Sequence, residues 1–246
     1  GENRRRGVVM DLRGNSVTWL GHGTWLWTTS EGKRVIVDPF LGNNPTCPED
    51  LREPDVDAIL VTHGHIDHIA DLPPLAARTG APVVASWEVG AHLIGQGVEN
   101  VTQMGCGGTV EVAGVAATMV TAVHGSGIGA PDDTMLQGGA AAGFMIEFPD
   151  GLVVYQAGDT DVFGDMALLA ELHAPEVAVL PIGGHFTMGP ARAAVAVRLL
   201  GVAKVLCGHF GTFPPLVGRP AELQALTGAS VEVPDLQPGD VFGAAS

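Results

Sequence analysis

The sequence predicts a mixed α/β domain in which two mixed sheets lie between layers of helices. Strand-like runs separated by glycine-rich turns dominate the first part of the chain, whereas apolar strands alternate with helical stretches in the second part. Hydrophobic residues make up 46% of the 246 residues, which is enough for a substantial core. No repeat or linker-like segment divides the chain, so we predict one domain, residues 1–246.

The first half carries short apolar runs bounded by Gly, Pro and Asn residues. The predicted strands are Val17–Leu20, Thr24–Thr29, Val35–Val37, Ala58–Val61, Pro82–Ala85 and the interrupted β-like stretch Val101–Val123. The predicted helices are Ile69–Arg78, which Gly80 can cap, and Trp87–Ile94. Residues 41–54 are rich in Pro, Asn and Gly, which is typical of a loop.

The second half begins with the glycine-rich segment Gly125–Gly139, which we predict to be a mobile loop and a candidate lid. The predicted strands that follow are Ala142–Phe148, Leu152–Tyr155, Val177–Leu180, Ala203–Leu206, Val231–Val233 and Val241–Phe242. The predicted helices are Asp161–His173, Pro190–Leu200 and Ala221–Leu226.

The charge balance limits the class of partner. The formal net charge is −15, and no Lys or Arg occurs from Thr79 to Ala191. Binding to polymeric nucleic acid requires basic residues that neutralise phosphates, so this balance argues against it. A phosphate-bearing small molecule would find few cationic candidates, namely Arg192, Arg34 and Arg219.

The cysteines and the N-terminal residues bear on the cellular compartment in which the protein is expected. Cys47, Cys106 and Cys207 are odd in number and form no C-x-x-C pair, so we expect a reducing cytoplasm. The basic run Arg4–Arg6 lacks the long apolar region of a signal peptide. The longest uncharged stretch, Val112–Pro131, contains Gly, Thr and His, so we expect no transmembrane helix.

The most informative stretch follows the strand Ala58–Val61. His63, His65, Asp67 and His68 fall within six residues, on the loop where a buried strand ends. Imidazole and carboxylate are the ligands of zinc, manganese and iron. A polar surface turn is the alternative interpretation, but the spacing, the ligand types and the strand-to-loop context together favour a metal site.

Three further residues of ligand type stand just past apolar runs and next to a glycine. They are His124, Asp159 and His209. A single His at a strand end is more often a structural hydrogen-bonding residue, but the set adds to the motif. A two-metal site needs about seven protein ligands, and the motif with these residues provides that number.

The chain resembles the metallo-β-lactamase superfamily in the order Asp38, the H-x-H-x-D-H motif, His124, Asp159 and His209. More narrowly, it is similar to bacterial metal-dependent hydrolases allied to ascorbate-6-phosphate lactonases and N-acyl-phosphatidylethanolamine phospholipases D. The segments that carry this resemblance are Thr18–His22, Ile36–Phe40, Ala157–Thr160, Phe163–Met166 and Phe186–Pro190. The chain departs from the pattern at Gly183–Phe186 and after His209, so a substrate cannot be transferred from relatives.

The resemblance implies a four-layer αββα sandwich of class α/β with two divalent metal ions, Zn or Mn, and with Fe or Ni left open. It implies that one ion is held by three histidines and the other by one Asp and two His, with a bridging carboxylate. In that order, the implied ligands are His63, His65 and His124; Asp67, His68 and His209; and Asp159 as the bridge.

The implied activity is a binuclear hydrolase whose metal-bridging hydroxide attacks an ester, lactone, amide or phosphodiester of a small molecule. Asp67 is expected to orient the hydroxide and shuttle its proton. Asp38 is expected to orient a ligand histidine or brace the motif loop. His22 and His185, in glycine-rich loops, are candidates for support of the site or for substrate binding, with a structural hydrogen bond as the alternative.

Other functions stay open from the sequence. The same fold could serve a nuclease or nucleotide phosphodiesterase, or an iron-dependent oxidoreductase. A non-enzymatic metal-binding module is the remaining alternative, against which the full ligand set argues. The sequence also leaves a homo-oligomer open.

Overall fold

Two mixed sheets carry the fold in the computed structural model, which describes residues 7–8, 10–130 and 132–243. The strands are β1 Gly7–Val8, β2 Ser16–Trp19, β3 Trp25–Thr28, β4 Arg34–Val37, β5 Ala58–Leu60, β6 Val83–Ser86, β7 Val101–Met104, β8 Thr109–Val112, β9 Val115–Thr121, β10 Gly127–Gly129, β11 Met135–Gln137, β12 Ala142–Glu147, β13 Val153–Gln156, β14 Val177–Pro181, β15 Lys204–Gly208 and β16 Val241–Gly243. The α-helices are α1 Ile66–Ile69, α2 Leu72–Thr79, α3 Trp87–Gly95, α4 Met166–His173, α5 Pro190–Leu200 and α6 Pro220–Thr227.

The larger sheet has eight strands in the order β1-β16-β2-β3-β4-β5-β6-β7, and the smaller has six in the order β15-β14-β13-β12-β9-β8. Strands β4 to β7 run parallel, as do β13 to β15, whereas β2, β3 and β4 pair antiparallel. Strands β10 and β11 form a separate antiparallel hairpin. The parallel sets place the carboxyl ends of several strands at one edge of each sheet.

Alternate residues of the larger sheet enter two different cores. On β4, Val35 and Val37 join the core shared with the smaller sheet, whereas Ile36 packs with Leu72 and Leu75 of α2. A strand buried on both faces reads as a continuous apolar run because neither face meets water. Helix α3 packs on β6 and β7, α5 packs on β14, and α4 and α6 pack against α5. The predicted four-layer αββα arrangement is therefore confirmed.

Two predicted helices differ in extent. The stretch Ile69–Arg78 is not one helix, because α1 ends at Ile69 and α2 starts at Leu72. Asp71, between them, accepts hydrogen bonds from the backbone N–H groups of Leu41 and Asn43, which ties the junction to a neighbouring loop. Helix α4 begins at Met166 rather than Asp161, because the Asp161 carboxylate binds Arg192 and the backbone N–H of Val162.

Two other predicted segments differ in detail. The segment Gly125–Gly139, predicted as a mobile loop, contains the β10–β11 hairpin; its mobility and its motion as a lid stay predictions. Val231–Val233 forms a single bridge, from Glu232 to Lys204, instead of a strand. The basic run at residues 4–6 lies outside the described residues. In the part of the chain that the structure describes, no helix has the length and apolar character needed to cross a membrane.

Candidate metal centre

The site lies where strands of both sheets end. Asp38 follows β4 and the motif follows β5 in the larger sheet, whereas Asp159 follows β13 and His209 follows β15 in the smaller sheet. Strand β9, which precedes His124, points the same way as β13 because both are antiparallel to β12. The ligand-type residues therefore collect at one edge because their strands run in the same direction.

The structure brings the predicted ligands together in two groups. Within each group, every residue offers one imidazole nitrogen or carboxylate oxygen, and these atoms lie within 4.8 Å of one another. The first group is His63, His65 and His124, and the second is His22, Asp67, His68 and His209. His22 thus joins a group to which the sequence assigned only three members.

One oxygen of Asp159 lies between the two groups. Its Oδ2 atom is 3.0 Å from Nε2 of His209 and 3.3 Å from Nε2 of His68. The same oxygen is 3.5 Å from Nε2 of His124 and 3.9 Å from Nε2 of His63. A single carboxylate oxygen is therefore near members of both groups.

The site is closed on one side and open on the other. The side chains of His63, His68, Asp159 and His209 are buried. In contrast, His65 is partly accessible, and the side chains of Asp67 and His124 are 26% and 14% exposed. A molecule from solvent therefore reaches the site on the side of His65, Asp67 and His124.

Asp38 holds the closed side in place. Its carboxylate accepts hydrogen bonds from the backbone N–H of Thr62 at 2.8 Å, the Thr62 hydroxyl at 2.6 Å and Nδ1 of His68 at 2.9 Å. Because the Thr62 hydroxyl donates to Asp38, it accepts from Nδ1 of His63, 3.0 Å away. Both histidines therefore use Nδ1 for these bonds and direct Nε2 toward Asp159 and the site.

Sequence reasoning missed three hydroxyl residues that support the site. Besides Thr62, the Thr212 hydroxyl lies 2.9 Å from Nδ1 of His22, whose Nε2 is 2.8 Å from Asp67 Oδ2. The Ser126 hydroxyl accepts the backbone N–H of Gly64, inside the motif. Thr62 stands directly before the motif and was open to prediction, whereas no local signal links Thr212 or Ser126 to partners 190 and 62 residues away.

The backbone is strained at three of these positions. His22, Asp38 and His209 have φ angles of 54°, 51° and 55°, in the left-handed region that residues other than glycine rarely adopt. Such conformations are found mainly where the surrounding structure fixes a functional side chain.

Burial and charge set the protonation of the site. Burial lowers the pKa values of His63, His65 and His124, and it lowers that of His22 to about 4. Burial also opposes protonation of His209, but the Asp159 and Asp67 carboxylates together outweigh it and raise the pKa to about 9. The pKa of Asp159 is held well below its usual value, despite its burial, by His209 and His68.

These residues fit a divalent cation. Among the described residues, Nε2 of His68 and both ring nitrogens of His209 are buried without a hydrogen-bond partner. Buried polar atoms are rarely left unpaired because desolvation is costly. Three carboxylates, from Asp38, Asp67 and Asp159, lie among the histidines. Negative charge that is withdrawn from water needs positive charge close by. Imidazole nitrogen with carboxylate oxygen is a donor set for Zn or Mn.

Asp38 and Asp159 lie outside the two groups but bond to their members, whereas His185 makes no hydrogen bond or ion pair with either group among the described residues. It is exposed, with a φ of 61°, and its ring contacts Phe186 edge-on with the ring centroids 4.5 Å apart. A role in substrate binding stays a prediction for this residue.

The chain is similar to known proteins over most of its length. A family model described as beta-lactamase superfamily domain matches residues 33–210. A protein called UPF0173 metal-dependent hydrolase from Rubrobacter xylanophilus is 46% identical over 94% of this chain and 98% of its own length. A relative of the same description from Methanopyrus kandleri is 44% identical over 92% of this chain and 98% of its own.

A solved structure shares the architecture. Igni18, described as a metallo hydrolase from the hyperthermophilic archaeon Ignicoccus hospitalis, matches with a TM-score of 0.79 and 31% sequence identity. The match covers 92% of this chain and 97% of that protein.

Proposed function

The chain belongs to the β-lactamase superfamily, and within it to the UPF0173 metal-dependent hydrolases, and we propose that it uses two divalent cations to hydrolyse a small ester, lactone or phosphodiester. The observation that supports two ions is the position of Asp159 Oδ2, near His63 and His124 of the first group and near His68 and His209 of the second. One carboxylate can bridge two cations only from such a position.

His63, His65 and His124 would hold the first ion, Asp67, His68 and His209 the second, and Asp159 would bind both, with Zn or Mn as the ions. When bound, two such cations lower the pKa of a water molecule toward neutrality and polarise the oxygen of the bond to be cleaved. The Nε2 atoms of His63 and His68 are directed at this position because their Nδ1 atoms are hydrogen-bonded to Thr62 and Asp38.

Asp67 handles the proton in this proposal. Its carboxylate is partly exposed on the open side of the site and accepts a hydrogen bond from Nε2 of His22. Despite burial, contacts with His209 and His22 keep the pKa of Asp67 below its usual value, so this group is an ionised carboxylate. It therefore can orient the attacking water and take up its proton.

Metal content tests the proposal directly. The full chain purified with Zn or Mn should contain two ions per molecule by elemental analysis. His63→Ala and His209→Ala, which remove one ligand from each group, should each lower this number and reduce hydrolysis of a model ester at least 100-fold. Loss of a residue that only supports a metal ligand already costs about 10- to 100-fold, so loss of the ligand itself should cost more.

The matched control is His92→Ala, on helix α3 and outside both groups, which should keep two ions and full activity. A wild-type protein that holds a single ion, or a His209→Ala variant with unchanged metal content, would contradict the binuclear site.

A further inference from the structure

Exposed apolar residues are the chain neighbours of the accessible site residues. Ile66 lies between His65 and Asp67 in the chain, and its side chain is 64% exposed. Val123 directly precedes His124 and is 51% exposed. Each of the three accessible site residues therefore has an exposed aliphatic side chain as its neighbour.

Two exposed phenylalanines also lie close to site residues or their chain neighbours. Phe213 is 37% exposed, and its ring centroid is 5.5 Å from that of His22, the partner of Asp67. Phe186 is 56% exposed on the loop whose Met188 N–H donates to the carbonyl of Thr160, the residue after Asp159. We call Ile66, Val123, Phe186 and Phe213 the apolar rim.

Single exposed apolar residues are common on protein surfaces and need no explanation. Four of them beside the residues of one site are different, because exposed apolar side chains that collect in one region of a protein surface mark a binding surface. Ligand sites are mostly apolar, with a few polar groups that fix the reacting atoms. The apolar rim and the polar groups beside it have this composition.

The arginine side chains that could attract a phosphate are bound to other protein groups or lie away from the site. Arg192 forms a bidentate ion pair with Asp161, whose backbone N–H donates to the carbonyl of Val123. Arg219 donates to the carbonyls of Leu216 and Gly218. Arg34 opens β4, at the end of the strand away from Asp38. These three were the cationic candidates for a phosphate-bearing substrate.

We propose that the substrate is an uncharged carboxylic ester or lactone with an apolar chain, and that the apolar rim binds this chain. The inference rests on the proposed hydrolase function and narrows its substrate class. In the reaction, the oxygen of water bonds to the carbonyl carbon and the bond from that carbon to the alkoxy oxygen breaks. The products are a carboxylate and an alcohol, with one proton released.

Turnover provides the first test. The metal-loaded full chain is assayed with p-nitrophenyl acetate, butyrate, hexanoate and octanoate, and with bis(p-nitrophenyl) phosphate. The value of kcat/KM should rise by up to about fourfold for each methylene that becomes buried, as expected for about 0.8 kcal/mol. The phosphodiester should be hydrolysed more slowly than any of the esters.

Binding provides a second test that needs no turnover. Calorimetric titration of the metal-loaded protein with acetate, butyrate, hexanoate and octanoate should give dissociation constants that fall as the chain lengthens. Ile66→Ser and Phe213→Ser should reduce this dependence on chain length in both tests. Leu226→Ser, on helix α6 and 57% exposed, is the matched control and should leave the dependence unchanged.

The outcomes separate the two proposals. Faster hydrolysis of the phosphodiester, or affinity that does not depend on chain length, would overturn the apolar-chain inference while the hydrolase function stands. Absence of turnover on every substrate, in protein that contains both ions, would overturn the hydrolase proposal. Chain-length-dependent binding in that same protein would still support the apolar rim as a binding surface.

Discussion

At the scale of single residues, the site is held by bonds that exist without a metal ion. The backbone N–H of His209 donates to the carbonyl of His22 at 2.8 Å, and so joins two residues that both have left-handed φ angles. The indole N–H of Trp19 donates to the same carbonyl at 3.0 Å. Since the loops belong to different sheets, these bonds fix the two imidazoles relative to each other before any ligand binds.

Thr212 is the residue whose role is most easily isolated. Because Asp67 is a carboxylate, Nε2 of His22 carries the proton that it accepts, and Nδ1 of His22 then accepts the Thr212 hydroxyl. Thr212→Val removes this donor, so Nδ1 of His22 is no longer held as a hydrogen-bond acceptor. We expect kcat to fall about 10- to 100-fold, the usual effect of losing such a supporting contact, with KM little changed.

The test compares steady-state kinetics of Thr212→Val and Thr212→Ser at equal metal content. The serine variant keeps the hydroxyl and should recover most of the lost kcat. Thr109→Val, at an exposed position on β8, is the control for the loss of a threonine hydroxyl elsewhere. Equal kcat values for the valine variant and the wild type would exclude this role of Thr212.

At the scale of elements, the β10–β11 hairpin packs on the motif. The buried Ile128 lies against Gly64, where an added Cβ would be 2.5 Å from Ile128 Cγ1. Ser126, just before β10, accepts the Gly64 N–H and donates to the carbonyl of Gly138, just after β11. The hairpin therefore braces the loop that carries His63 and His65.

This contact predicts a measurable coupling between two side chains. Gly64→Ala should lower the free energy of unfolding by about 1–3 kcal/mol because it overpacks the contact with Ile128. Ile128→Ala should cost about 2–5 kcal/mol through loss of buried apolar volume. The double variant should be less destabilised than the sum by about 1 kcal/mol, because the smaller side chain makes room for the new methyl group.

Urea unfolding of the two single variants and the double variant measures this coupling. Gly95→Ala is the control, since an added Cβ at Gly95 meets no atom within 4 Å. Its effect should add to that of Ile128→Ala without coupling. If the losses in free energy of unfolding from Gly64→Ala and Ile128→Ala simply add, the hairpin does not pack tightly on the motif.

The elements also show which features the sequence could predict. The family and the layer order were predicted correctly, because apolar runs report burial of both faces of a strand and the H-x-H-x-D-H motif is specific. The hairpin at β10 and β11 was missed because glycines and an exposed β11 hide the apolar pattern of a strand. Asp161 looked like part of a helix, but its ion pair with Arg192 depends on a residue 31 positions away.

At the scale of the whole molecule, the candidate ligands come from both sheets. His63, His65, Asp67 and His68 follow β5 of the larger sheet, whereas Asp159 and His209 follow β13 and β15 of the smaller one. Cations held by both sets would join the two halves of the sandwich. They would also neutralise carboxylates that are buried together, which otherwise repel one another.

Metal removal should therefore weaken the entire fold. Ions that bind only the folded chain stabilise it by about 4 kcal/mol when their free concentration is 1,000 times the dissociation constant. For a chain of this size, the melting temperature should then fall by about 8–16 °C on chelation. Calorimetry of metal-loaded and chelated samples measures the difference, and His92→Ala should show the full shift.

Because His63→Ala/His209→Ala removes a ligand from each group, it should melt near the chelated wild type with or without added metal. Equal melting temperatures for the metal-loaded and the chelated wild type would mean that bound ions do not stabilise the packing of the two sheets.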